Sequence, residues 1–134
     1  MFVVSGTMTT AMFTIVLRKG YGLGAQAMAG GSFHAPFFIV SWPPGEFGGM
    51  GLEGAVRLGF RKELEAEPTP EAQEALFRKK VAESYARGKA INMAAYLEID
   101  DVIDPADTRR WILRGLKSLP PPKAGARRRF IDTW

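Results

Sequence analysis

Residues 13–27, FTIVLRKGYGLGAQA, constrain this chain more than any other stretch. The apolar run Phe13–Leu17 predicts a buried β-strand. Two cations follow, Arg18 and Lys19, then glycines at 20, 22 and 24. Small residues from Ala25 to Ala29 suit a short helix, which Gly30-Gly31 ends. A glycine turn between strand and helix leaves backbone N–H groups unpaired and lets a ligand approach them closely. With the helix dipole behind it, such a turn suits an anionic oxygen, either a phosphate or a transient enolate.

Gly22-x-Gly24-x-x-Ala27 has the spacing of a dinucleotide fingerprint. That reading requires an acid ending the next strand, where a ribose would be held. The next apolar run, Pro36–Trp42, ends in Ser41-Trp42-Pro43, and Glu46 comes only after the proline break. A P-loop is excluded because no Gly-Lys-Ser/Thr follows. A purely structural turn, with small residues for close packing of helix on strand, is the remaining alternative.

Conventional catalytic side chains are scarce. His34, between Phe33 and Ala35, reads as a packed or capping residue rather than a base. Glu46 and Glu53 flank the Gly48–Gly51 segment and are candidates for acid–base work. Near a helix start, Glu53 is equally well explained by the dipole. No Ser-His-Asp or paired-carboxylate arrangement emerges. Any chemistry therefore falls to backbone donors.

With 134 residues, 46% hydrophobic and 24% charged, the chain fits one small soluble globular unit. No run approaches the roughly 18 to 20 apolar residues of a membrane span. Met1–Thr14 is apolar but lacks a basic segment and a cleavage site, so no secretion signal is expected. Zero cysteines exclude disulfides and thiolate metal sites and favour a reducing, cytoplasmic setting. One histidine leaves no metal site to expect. The net charge of +4 is concentrated toward the end, at Lys117, Lys123 and Arg127–Arg129. No aromatics interleave with these cations to stack on bases, so a solvated basic tail over 120–134 is expected, not a nucleic-acid surface.

Further elements are legible along the chain. Phe2-Val3-Val4 reads as the last turn of an apolar helix closed by Ser5-Gly6, as if the segment before it had been cut away. Leu52, Val56 and Phe60 recur at every fourth residue and predict one helix over Leu52–Leu64. Thr69-Pro70 caps a longer helix that runs to Arg87 and stops at Gly88. Its apolar residues form two stripes, Ala72, Leu76 and Ala86 against Phe77, Val81 and Tyr85, which calls for a second layer, a partner subunit or absent sequence. Ile99–Ile103 predicts a short strand, and Asp104-Pro105-Ala106-Asp107 a helix start. That helix should bury Ile112, Leu113, Leu116 and Leu119, with Arg109 paired to Asp100 or Asp101.

Four ordered segments carry a family resemblance: VLRKGYG at 16–22, MGLEGA at 50–55, FRKE at 60–63 and IDDVIDP at 99–105. With them the chain resembles the carboxyl-terminal part of the carboxyltransferase subunit of biotin-dependent acyl-CoA carboxylases and related decarboxylases. The resemblance implies an α/β fold, a partial crotonase-like spiral of β-strands and helices. Residues 1–119 would be the later half of the second of two such domains. It also implies a homo-oligomer built on a carboxyltransferase dimer, and a partner that carries biotin, the biotin carboxyl carrier or biotin carboxylase subunit.

In that family the carboxyl group passes from carboxybiotin to the α-carbon of an acyl-CoA. The biotin ureido nitrogen takes the α-proton, so no protein base is required. The protein contributes oxyanion holes of backbone N–H groups. By resemblance, the donors toward the ureido oxygen fall on Leu23 and Gly24, with Gly22 and Ala25 beside the cofactor and Gln26 lining the acyl pocket. Leu23 stands where the family has glycine, which keeps the donor only if φ there is not positive. The thioester hole and most of the CoA site belong to the other domain, so little isolated activity is expected. The alternative is a non-catalytic crotonase-like module for interaction or dimerisation.

Overall fold

The computed structural model describes residues 1–6, 8 and 10–121; the Arg-rich part of the expected tail lies outside them. Its elements, in order, are α1 (Phe2–Ser5), β1 (Phe13–Val16), β2 (Lys19–Tyr21), α2 (Gly22–Met28), β3 (Phe38–Ser41), β4 (Glu46–Gly48), α3 (Leu52–Gly59), α4 (Arg61–Glu65), α5 (Pro70–Arg87), α6 (Ala90–Ala95), β5 (Asp101–Val102), a 3₁₀ turn (Pro105–Asp107) and α7 (Thr108–Ser118).

The strands form two small parallel sheets, ordered β1-β3-β5 and β2-β4. The chain visits them alternately. Each coil of the spiral lays one strand in the first sheet, one in the second, and then a helix: β1-β2-α2, followed by β3-β4-α3. Phe13 pairs with Phe38 and Val16 with Ser41 in the first sheet, and Lys19 with Glu46 and Tyr21 with Gly48 in the second. A parallel pair needs a crossover, and the glycine-rich helical segments supply it.

All four residues of β3 are buried, as a parallel strand covered on both faces should be. Ile39 joins Phe47, Ala90 and Ile99 on one side. Phe38 and Val40 join Ile103 on the other, with Phe13, Trp42, Trp111 and Ile112 around them. The buried Ser41 hydroxyl lies 3.1 Å from the Val16 carbonyl and 2.9 Å from that of Trp42. Asp100 extends the ladder past β5. Its N–H donates to the Ile39 carbonyl at 2.8 Å, and its carboxylate accepts the Ile39 N–H at 2.7 Å.

The longest helix follows the sequence closely. Thr69 caps α5 by accepting the Ala72 N–H at 3.2 Å, Pro70 takes the first position, and the helix ends at Gly88. Phe77, Val81 and Tyr85 are half-buried, and Ala72 and Leu76 on the other side are half-buried as well, whereas Ala86 is exposed. No residue of α5 is fully buried.

Three expectations need correction. The helix expected over Leu52–Leu64 is two, α3 and α4, because the chain kinks at Phe60 (φ −109°, ψ 19°) just after Gly59. α7 is rotated from the expected face. Gly115 is its buried contact point, half-buried Trp111 and Ile112 flank it, and Leu113 and Leu116 are 44% and 53% exposed. A Cβ on Gly115 would lie 2.8 Å from the Phe38 ring and 3.0 Å from that of Phe13, so only glycine lets the helix sit this close. With that rotation Arg109 points to solvent and has no ion-pair partner among the described residues. Asp100 is already engaged with Ile39.

Candidate functional site

The glycine turn is built differently from the expected loop. β2 runs through Gly20 to Tyr21, and α2 starts at once at Gly22, three residues before the sequence suggested. Gly20 fits in the strand because the Phe47 ring fills its empty side, 3.2 Å from where a Cβ would be. Gly22 turns the chain with φ +64°, a conformation that other residues adopt at a cost. A Cβ there would also meet the Gly49 carbonyl oxygen at 2.9 Å. Gly22 is required twice over.

The early helix start decides which amides are free. Tyr21 is the cap residue, so Gly22, Leu23 and Gly24 form the first turn, whose N–H groups have no internal acceptor. No loop or cap bond among the described residues takes the Leu23 or Gly24 amide. Ala25 lies one position further on, where a regular helix gives its amide to the Tyr21 carbonyl. Leu23 does not have positive φ: among the described non-glycine residues only Leu97 does. Leu23 is 70% exposed.

A cleft of about 460 Å³ opens beside this turn. Gly22, Leu23 and Gln26 line one side, and Phe47, Gly48 and Gly49 come from the β4 segment. Gly24 and Ala25 share the helical turn but do not line the cleft. The remaining wall includes Phe33, Met93, Tyr96 and Glu98, of which the sequence reading identified none. Met93 and the two residues beyond it arrive through the end of α6. There the Leu97 N–H donates to the Ala94 carbonyl and the Glu98 N–H to that of Met93, at 3.0 and 2.9 Å. This is a Schellman close, with leucine at φ +60° where glycine is usual.

The acid–base candidates are engaged elsewhere. Glu46 accepts the Tyr21 hydroxyl at 2.9 Å, and Glu53 accepts that of Tyr85 at 2.7 Å. Burial, then the Glu46 carboxylate, push the Tyr21 phenol well above its ordinary value. The Glu53 hydrogen bond raises Tyr85, and in return the Tyr85 hydroxyl holds Glu53 below the usual carboxylate range. Neither Glu46 nor Glu53 lines the cleft. His34 is not packed as expected. Its side chain is exposed, its backbone N–H donates to Ser32 Oγ, and its Nε2 lies 3.9 Å from Glu98. Among the described residues no three His, Cys, Asp or Glu side chains gather as a metal site would need. What the site offers is the first-turn residue Leu23 at an open, largely apolar cleft, with Gly24 next to it in the same turn but off the lining.

The sequence pattern of the "Carboxyl transferase domain" family matches residues 4–123. The methylmalonyl-CoA carboxyltransferase 12S subunit of Propionibacterium freudenreichii subsp. shermanii is 41% identical over 110 residues, which is 81% of this chain and 20% of that protein. The crystal structure of a transcarboxylase 12S hexamer with methylmalonyl-CoA bound superposes on 95% of this chain and 25% of its own, with TM-score 0.76 and 32% identity. A single-chain, multi-domain long-chain acyl-CoA carboxylase covers 84% of this chain and 11% of its own, with TM-score 0.69 and 54% identity. The chain thus spans about a fifth of the length of the curated relatives it matches. Its two-sheet spiral is part of the crotonase-like fold of these carboxyltransferases. By sequence pattern, identity and fold together, the chain belongs to the carboxyl transferase domain family.

Proposed function

We propose that this chain is the biotin-facing portion of an acyl-CoA carboxyltransferase, in which the Leu23 and Gly24 amides steady negative charge on the ureido oxygen. The observation that carries this reading is the helix start at Gly22, which leaves both amides without an internal acceptor in a turn whose Gly22 and Leu23 line a cleft. Biotin fits what is present: a ureido oxygen needs N–H donors, and the fused ring needs an apolar wall such as Phe33, Phe47 and Met93. Bound carboxybiotin, delivered by a carrier domain, supplies the carboxyl group. This chain orients it. The amides and the dipole of α2 favour charge at the oxygen, and the glycines allow close approach. Gln26, on the same wall, contacts the acyl group of the acyl-CoA and influences which chain length is accepted. Gly22 and Ala25 complete the backbone frame. The rest of the acyl-CoA site, and the second wall of the cleft, belong to other sequence of a cytoplasmic homo-oligomer.

Titration of the ¹⁵N-labelled chain with free biotin tests the reading. Shifts concentrated at residues 22–26 are expected, and their absence across that segment sinks it. The second reading, a non-catalytic dimerising module, draws on the half-buried Ala72 and Leu76 of α5. It predicts self-association without any biotin response.

A further inference from the structure

We infer that Tyr21 and Glu46 form a positioning pair that fixes the direction of the Leu23 and Gly24 amides; the role rests on the reading just given. Tyr21 is both the last residue of β2 and the cap of α2, so its backbone sets where the helix begins. Two three-residue strands are a short ladder to hold such a corner, since small isolated strand pairs are marginal in water. The Tyr21 side chain reinforces it. Its register partner on β4 is Gly48, which presents no side chain, so the ring lies over that position, 3.6 Å from where a Gly48 Cβ would be. From there the hydroxyl reaches back two residues along β4 and donates to Glu46 at 2.9 Å. The bond is partly buried and has a charged acceptor, the stronger kind of hydrogen bond.

β4 is itself well anchored. The Phe47 N–H donates to the Gly88 carbonyl at 2.7 Å and the Ala90 N–H to the Gly45 carbonyl at 2.9 Å, while Glu46 bridges Lys89. Glu46 is therefore a fixed post between the spiral and the α5–α6 junction. The Tyr21 phenol clips the glycine corner to that post. Neither side chain lines the cleft, so the pair acts through backbone and not by touching a ligand. This gives Glu46 a use that acid–base chemistry did not.

Tyr21→Phe keeps the ring and removes the clip. In the full chain, ¹⁵N relaxation dispersion should be flat at Gly22–Gly24 in the parent protein and show microsecond-to-millisecond exchange in Tyr21→Phe. The dissociation constant for biotin, read from the same amides, should rise about tenfold, the effect of one charge-assisted hydrogen bond. Glu46→Gln retains an acceptor oxygen and should restore most of the affinity relative to Glu46→Ala. Arg110→Ala removes an exposed hydrogen bond to Asp107 at the far helix α7 and should leave Gly22–Gly24 unchanged. The inference is overturned if Tyr21→Phe matches the parent protein at those amides, or if Arg110→Ala disturbs them equally. A parent chain that does not respond to biotin defeats the functional reading alone, because the ligand-free dispersion measurement still decides the positioning role.

Discussion

Gly22 and Gly24 lie two residues apart in one helical turn, yet alanine should have opposite effects at them. At Gly22, alanine inherits φ +64°, which costs about 1–2 kcal/mol for an L-residue. Its Cβ would also press on the Gly49 carbonyl oxygen at 2.9 Å, a backbone atom that yields only if the β4 segment shifts. Overpacking of this kind adds about 1–3 kcal/mol, for a total of about 2–5 kcal/mol. At Gly24 φ is not positive and a Cβ would have open space, with nothing within 4 Å. Alanine there should stabilise the chain, by up to about 1 kcal/mol, because it removes glycine's excess freedom in the unfolded state. Urea denaturation followed by far-ultraviolet circular dichroism would measure both. The expected result is a lower midpoint for Gly22→Ala and an equal or higher one for Gly24→Ala, with unchanged slopes. If Gly24→Ala is as damaging as Gly22→Ala, the helix does not begin where the account requires.

Gly115→Ala should destabilise by about 1–3 kcal/mol, since its Cβ would enter the Phe38 and Phe13 rings; thermal melts would register it as a loss of several degrees. Leu97→Gly should stabilise by about 1 kcal/mol through relief of the left-handed conformation, checked by the same melts. For pH, the Tyr21 phenol is raised in the folded chain, so stability is unaffected below the ordinary phenol value of 10.0. Above it the unfolded chain loses its proton first, and stability falls with rising pH, by no more than about 1.4 kcal/mol per unit. Denaturation midpoints at pH 9 to 11 should show that decline, and Tyr21→Phe should lessen it, the raised Tyr85 phenol keeping its own share.

Much of the fold was legible where local chemistry and tertiary role agree. Thr69-Pro70 and Gly88 bound α5 because cap and stop are local signals. The apolar runs gave β1 and β3: β3 is covered on both faces, whereas β1, expected to be buried, is a half-buried edge strand. β2 was hidden, since glycine at 20 argues against a strand until the Phe47 ring, which arrives on β4, fills the gap. The face of α7 was misjudged for a related reason. Leucines at 113 and 116 fit a helical stripe as well as the true one does, and the decisive residue is a glycine that hydrophobicity ignores. At the site, the glycine turn could be read directly, and Gln26 came only with the family resemblance. Met93, Tyr96 and Glu98 could not, because they reach the cleft only through the folding of α6 against the β4 segment.

If the Leu23 and Gly24 N–H groups hold the ureido oxygen, replacing each by an ester oxygen exposes their role most directly. Semisynthetic chains with the Leu23 or Gly24 amide converted to an ester keep every side chain and every helical hydrogen bond that those N–H groups do not make. Biotin affinity should fall about tenfold or more in each, with the folded circular dichroism spectrum preserved. Unchanged affinity in both folded esters would contradict the account.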